Sequence, residues 1–230
     1  MASEAPRTAP RAAASIFVLA GCNGAGKSSV GGAAFRALGA DYFNPDEAAL
    51  RIAAANRHRS PPPSQQEANA AAWEEGRRLL ERAIDERLSF AFETTLDGHT
   101  ITELLERAAA RGIAVNIWFV GLATVELHLA RIRRRVAKGG HDIPEATVRE
   151  RYRRGRENLI RLLPKLAGLR VFDNSTEADP DLGIAPAPRL LMDARHGRIA
   201  APNRLDRLVT DTPQWAKPIV AAAIKLHLRK

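Results

Sequence analysis

The 230 residues carry 35 Lys and Arg against 26 Asp and Glu, for a formal net charge of +9, and 45% are hydrophobic. That content suits one domain, or one domain with an appendage, and shows no repeat of solenoid length. No apolar run approaches the about 18 residues that cross a bilayer, and the single cysteine, Cys22, excludes an internal disulfide and a cysteine-based zinc site. The expectation is a cytoplasmic protein without membrane contact.

In chain order, Met1 to Ala14 is rich in Ala, Pro and Arg and reads as a disordered tail. Ser15 to Ala20 is a strand-length apolar run, followed by a glycine-rich loop and a helix from Ser29 to Leu38. Ala40 to Asn44 reads as a second strand stopped by Pro45, and Asp46 to Arg57 as a helix that Pro61, Pro62 and Pro63 terminate. Ser64-Gln65-Gln66-Glu67 has the form of a capping box opening a long helix to Glu86, with Trp73, Leu79, Leu80, Ala83 and Ile84 on its apolar face. Leu88 to Phe92 is a third strand ending at Glu93. A helix from Ile101 to Arg111 stops at Gly112.

Ile113 to Val120 is the fourth strand and the clearest buried one. Thr124 to Lys138 is helical as far as Gly139-Gly140, and Pro144 opens the next helix, to Leu163. Leu169 to Phe172 is the fifth strand. Beyond Asn174 come Pro180, Pro186 and Pro188, then a hairpin around Met192 to Ile199 and a helix from Gln214 to Leu228. Strands alternating with helices predict an α/β fold of the P-loop NTPase type. It is a three-layer sandwich with a central, mostly parallel five-stranded sheet and a helical, arginine-rich lid over 131–156. The kinase-like domain is expected over 15–176, with 177–230 packing on it as an extension.

The chemistry starts at Gly21-Cys22-Asn23-Gly24-Ala25-Gly26-Lys27-Ser28, which fits G-x-x-x-x-G-K-[ST] between a strand and a helix. Gly21, Gly24 and Gly26 let the backbone curl around an anion and present its N–H groups. Lys27 is expected on the β- and γ-phosphates of ATP, and the Ser28 hydroxyl on Mg²⁺. Ser29, next in the chain, belongs to the same expected nucleotide site. Cys22 sits in the loop for its size rather than for redox work.

Two further polar clusters follow strands, and strand ends of such a sheet converge on one crevice. Asp46, in Asn44-Pro45-Asp46-Glu47, is the candidate general base, since a kinase needs a carboxylate to take the proton of the attacking hydroxyl. Its alternative is the N-cap of the helix that follows. Glu93 ends an apolar strand, where an unpartnered charge is costly. It either orients the substrate, holds a metal-bound water, or accepts a structural hydrogen bond. Thr94 and Thr95 are candidates for a substrate hydroxyl or for capping the next helix.

Between Arg131 and Arg156 lie ten basic and three acidic residues. Arg131 and Arg135, four apart on one helix face, are candidates for offsetting charge during phosphoryl transfer. Arg151 and Arg154 of the second basic helix are reserved for phosphate or substrate contacts, and the remaining arginines read as a solvated face. The glycine pair between the two helices looks like the hinge of a lid. His141 reads as structural.

These pieces together resemble the zeta-toxin family of P-loop kinases, in its shorter, stand-alone branch. The resemblance spans Ile16 to Ser175. It rests on G-C-N-G-A-G-K-S (Gly21 to Ser28), N-P-D-E-A-A (Asn44 to Ala49), F-E-T-T-L (Phe92 to Leu96), R-I-R-R-R-V-A-K-G-G-H-D-I-P (Arg131 to Pro144), R-Y-R-R-G-R-E-N-L (Arg151 to Leu159) and V-F-D-N-S (Val171 to Ser175). It implies ATP-dependent phosphorylation of a small molecule, in zeta toxins UDP-N-acetylglucosamine at the 3′-hydroxyl of its amino sugar. Carried over by motif, Asp46 matches the base, Lys27 the phosphate-binding lysine and Ser28 the Mg²⁺ ligand. Glu93 and Thr95 match substrate-side groups, Arg131 and Arg135 lie in the lid, and Asn174 lies in the loop expected near the adenine. Nothing in the chain resembles an antitoxin, and a toxin role is not readable from these residues.

Two alternatives stand beside a small-molecule kinase. The basic segment admits a nucleic-acid-directed kinase or RNA-binding ATPase, against which aromatics are only 5% of the chain and offer few stacking partners. A non-catalytic switch is the other. It is disfavoured because the strong fourth strand ends without the aspartate that holds the Mg²⁺ water in switch ATPases.

Overall fold

The computed structural model describes residues 13–37, 41–177 and 188–229. Most of the expected tail, the ends of the second strand and first helix at Ala40 and Leu38, and Pro180 and Pro186 lie outside the described residues. Ala14 does not behave as tail. It is buried, and its carbonyl accepts from Ala114 N at 3.3 Å.

Strands β1 (Ser15–Ala20), β2 (Asp41–Phe43), β3 (Phe90–Thr94), β4 (Ala114–Gly121) and β5 (Gly168–Asp173) form the parallel part of the sheet, in the order β2-β3-β1-β4-β5. The expected count of five is the count of parallel strands. The sheet has seven, because the hairpin β6 (Arg189–Arg195) and β7 (Arg198–Ala201) adds antiparallel to β5. An antiparallel pair continuing the ladder of β5 satisfies backbone groups that an edge would leave open.

The helices are α1 (Ala33–Arg36), α2 (Pro45–Ala55), α3 (Gln65–Asp85), α4 (His99–Ala110), α5 (Val125–Val136), α6 (Glu145–Leu162), α7 (Leu205–Asp211) and α8 (Lys217–His227). The expected helix after the loop is a π-helical turn, Ser28–Gly32, running into the short α1. The capping box holds: Ser64 Oγ accepts from Glu67 N at 3.2 Å, and Ser64 N donates to Glu67 Oε2 at 2.8 Å.

The period-2 alternation of β1 divides the core. Ile16, Val18 and Ala20 face the larger layer, with Leu80, Ile84, Leu105, Leu159, Leu162 and Trp215 among its members. Leu19 faces a smaller cluster with Phe35, Ala91 and Val120. Ile219, Val220 and Ala223 of α8 are buried in the larger layer, so the C-terminal segment shares the core of the sheet. Trp215 adds a tie there, its Nε1 donating to Asp173 Oδ1 at 3.3 Å.

Candidate functional site

β1 is the central element of the site. Its last residue, Ala20, lies between Thr94 of β3 and Phe119 of β4. The next residue, Gly21, donates its N–H to the Thr94 carbonyl at 3.2 Å, which pins the start of the glycine loop to β3. Gly21, Gly24 and Gly26 have φ of +143°, +76° and +79°. At Gly26 a Cβ would also stand 2.5 Å from Asn174 Nδ2, which donates to the Ala25 carbonyl at 2.9 Å. Asn174 therefore buttresses the loop directly. Lys27 Nζ folds back onto the Gly21 carbonyl at 3.0 Å.

The loop is fixed from the far side as well. His128 of α5 is 1% exposed, and its Nδ1 is 2.7 Å from the Asn23 carbonyl. That acceptor requires the proton on Nδ1, and burial lowers the imidazole to about 4. Arg151 Nη1 donates to Asn23 Oδ1 at 2.9 Å. Cys22 points away, buried with Leu129, Ile132, Ile143 and Val148, its thiol pushed up to about 11 by burial. This agrees with a place set by size.

Glu93 is a hub. It is 6% exposed, and its Oε1 accepts from Ser28 Oγ at 3.0 Å, from Asn44 Nδ2 at 3.3 Å and from the Tyr42 hydroxyl. Burial, then the bond to Glu93, raises the Tyr42 phenol. Three donors on one oxygen explain how a strand-end carboxylate stays buried. The Ser28 hydroxyl and the Glu93 carboxylate are hard oxygen donors. No group of three or more His, Cys, Asp or Glu able to hold a metal occurs among the described residues. The Ser28 hydroxyl and Glu93 carboxylate are donors of the kind Mg²⁺ takes, since it keeps waters and phosphate oxygens and needs few protein ligands.

The Asp46 alternatives separate. The N-cap of α2 is Asn44, whose Oδ1 accepts from Asp46 N at 2.9 Å and Glu47 N at 3.3 Å, with Pro45 in the first turn. Asn before Pro at a helix start was the available signal. Relieved of capping, the Asp46 side chain is 64% exposed and faces Arg135 Nη1 at 3.8 Å. Asp46, Lys27, Asn23, Glu93, Thr94, Thr95, His141 and Arg151 line one cleft of about 340 Å³. Thr94 Oγ1 accepts from Leu96 N at 3.0 Å, and the Thr95 hydroxyl bonds Asp97. Neither caps α4, whose N-cap is Gly98.

The arginines divide. Arg131 Nη2 donates to the Asn174 carbonyl at 2.8 Å and its Nε to Glu177 at 2.7 Å, which places it over the loop but already partnered. Arg135 donates to the His141 carbonyl at 3.2 Å, while its buried Nε has no partner. Arg154 pairs with Glu150 at 3.2 Å outside the cleft lining. Arg149 and Arg153 likewise pair with carboxylates, so much of the basic segment is locally neutralised. Ser29 is exposed beside the loop.

Sequence reasoning gave no role to Tyr42, Asn69, Asp97 or His128, and it misplaced Trp73. Expected on the apolar face of α3, Trp73 is 48% exposed and lines the cleft. Tyr42 and His128 act through partners distant in sequence, and the fold alone brings Asn69, Trp73 and Asp97 to the cleft.

The zeta toxin family profile matches residues 2–179. An uncharacterized protein of Haemophilus influenzae is 33% identical over 135 residues, spanning 57% of this chain and 88% of that protein. Among solved structures, a chain of the AvrRxo1-ORF1:AvrRxo1-ORF2 complex with ATP aligns with a TM-score of 0.59 at 16% identity, over 93% of this chain and 76% of its own. A chain of the PezAT toxin–antitoxin system of Streptococcus pneumoniae aligns with a TM-score of 0.53 at 13% identity, over 96% and 89%. At these identities the likeness is one of fold, that of the P-loop kinases. No described helix is long and apolar enough to cross a membrane.

Proposed function

We propose, on the premise that this chain belongs to the zeta toxin family, that it is an ATP-dependent phosphotransferase acting on a hydroxyl of a small molecule, a sugar nucleotide such as UDP-N-acetylglucosamine. One observation carries the reading: Lys27 and Asp46 line the same cleft, a cation for the phosphates beside an uncapped carboxylate for the hydroxyl.

In this reading the loop amides and Lys27 hold the β- and γ-phosphates of ATP. Asp46 accepts the proton of the acceptor hydroxyl as its oxygen bonds to the γ-phosphorus. The bond from that phosphorus to the bridging oxygen breaks, and ADP leaves. Arg131 and Arg135 offset charge on the equatorial oxygens. Mg²⁺, held by Ser28 with Glu93 behind it, would neutralise phosphate charge. Thr95 and Arg151 position the acceptor, while Asn174 supports the loop on the nucleotide side.

The test is a mass-spectrometric screen of the protein with Mg²⁺-ATP against UDP-sugars, nucleosides and free sugars. One phosphoryl group is expected on UDP-N-acetylglucosamine, lost in Asp46→Ala with ATP binding retained. ATP hydrolysis without any acceptor modified would replace this reading with a switch. The likeness to PezAT supports extending the proposal to a toxin held by an antitoxin partner. Its readout is growth arrest on expression in a bacterial host, relieved by Asp46→Ala.

A further inference from the structure

We infer that Trp73 is a stacking platform for the acceptor, and that the acceptor presents an uncharged ring to it. Asn69, Trp73, Gly76 and Arg77 all line the cleft, at helical spacings that put them on one face of α3. Of the three tryptophans, Trp215 is 3% exposed and Trp118 packs on Phe35 and Phe172, whereas the Trp73 indole is open to the cleft. Its position is set by the fold. Gly76, one turn on, lies against Phe43 at the end of β2, where a Cβ would stand 2.6 Å from the ring. That close approach seats α3 on the sheet and fixes where the indole stands.

The charge on the two cleft walls differs in kind. Lys27, whose ammonium bonds the neutral Gly21 carbonyl, stands on the wall that carries the glycine loop, with Arg151 beside it in an ion pair to Asp97 at 3.5 Å. On the Trp73 wall, Arg77 is the cation, and it is bonded to Glu74 at 2.6 and 2.9 Å and to Glu81 at 2.6 Å. Its charge is spent within the helix. Phosphate charge is therefore gathered on the loop side, and the uncharged part of the acceptor is left to face the indole. An aromatic face stacks with the face of any base, because every base has a π-face, and its apolar surface also covers the C–H face of a sugar ring. Asn69 adds specificity: its Oδ1 accepts from Gln65 Nε2 at 2.9 Å, which leaves the amide N–H groups for ring oxygens. A linear alcohol has no ring face to offer the indole.

The inference rests on the kinase reading only for which hydroxyl reacts, because ring binding is measurable without ATP. The full chain is titrated with UDP-N-acetylglucosamine, N-acetylglucosamine and uridine while tryptophan emission and calorimetric Kd are followed. At least one probe is expected to change the emission, and the smallest effective probe names the ring. Trp73→Phe should abolish that change while holding Kd within about threefold, and Trp73→Ala should weaken Kd roughly tenfold or more. Unchanged affinity in Trp73→Ala, or no probe altering the emission, overturns the platform. Binding without phosphoryl transfer by the wild-type chain sinks the kinase reading and leaves the platform standing. Transfer with equal KM in Trp73→Ala does the reverse.

Discussion

The two walls of the cleft are built to different standards. The glycine loop is held by Thr94, Asn174, His128 and Arg151, each reaching its backbone or side chain from a separate element. The opposite wall exposes Asp46 and Trp73, and the Asp46 carboxylate has one ion pair at 3.8 Å. An anion cradle works by presenting fixed dipoles, so it gains from being overdetermined. A wall that must admit a second substrate gains from being left open, its last contacts made by the ligand.

The largest expected effects test whether the walls have separate duties. Lys27→Ala removes the ammonium and should lower phosphoryl transfer by about 10³-fold, with ATP binding lost as well. Asp46→Asn should lower kcat by roughly 10²–10⁴-fold while ATP binding stays near wild type. Equal loss of ATP affinity in both variants, measured by calorimetry, would merge the two walls into one.

Gly26→Ala tests the rigidity of the loop wall alone. The position has φ +79°, and the new methyl would meet the Asn174 amide at 2.5 Å. Strain of that kind costs about 2–3 kcal/mol, read as a lower urea midpoint together with weaker ATP binding. Wild-type stability in this variant would mean that the loop rearranges freely and is not preorganised.

The contrast between the walls is also a contrast in legibility. The loop wall was readable because its motif is contiguous: strand, three glycines, Lys27 and Ser28 follow one another. Glu93 was visible for a related reason, as a charge closing an apolar strand. Its three donors were not, since Tyr42, Asn44 and Ser28 meet it only through the pairing of β2, β3 and β1. The five parallel strands followed from alternation of apolar runs with helices. That β6 and β7 continue the same sheet depends on β5 having an open edge, which no local pattern records. Trp73 shows the limit most clearly. Periodicity put it on the apolar face of α3, but only the tertiary position of that face decides between core and cleft.

His128 gives the loop wall a pH dependence of its own. Burial lowers its folded value from 6.5 to about 4. Between those values the unfolded chain holds a proton that the folded chain does not, so stability falls as pH falls through that window. By pH 5 the loss is about 2 kcal/mol. Urea unfolding at pH 7 and pH 5 should show this loss in the wild type and little of it in His128→Gln. Equal losses in both would place the titrating group elsewhere.

The smallest effect concerns a side chain that bridges the loop to the acceptor side. Arg151 Nη1 donates to Asn23 Oδ1 of the loop, and its Nε lies 3.5 Å from Asp97 Oδ2, the carboxylate that holds the Thr95 hydroxyl. A planar guanidinium spans both partners at once, and a lysine ammonium reaches one. Arg151→Lys should therefore keep the charge of the cleft and lose the connection. If the connection couples the substrates, ATP binds more tightly with acceptor present in the wild type, by about fivefold or roughly 1 kcal/mol, and that gain disappears in the variant. Calorimetric ATP titrations with and without saturating acceptor measure it. A gain retained in Arg151→Lys would show that the open wall is completed by the acceptor alone, with no signal passed to the rigid one.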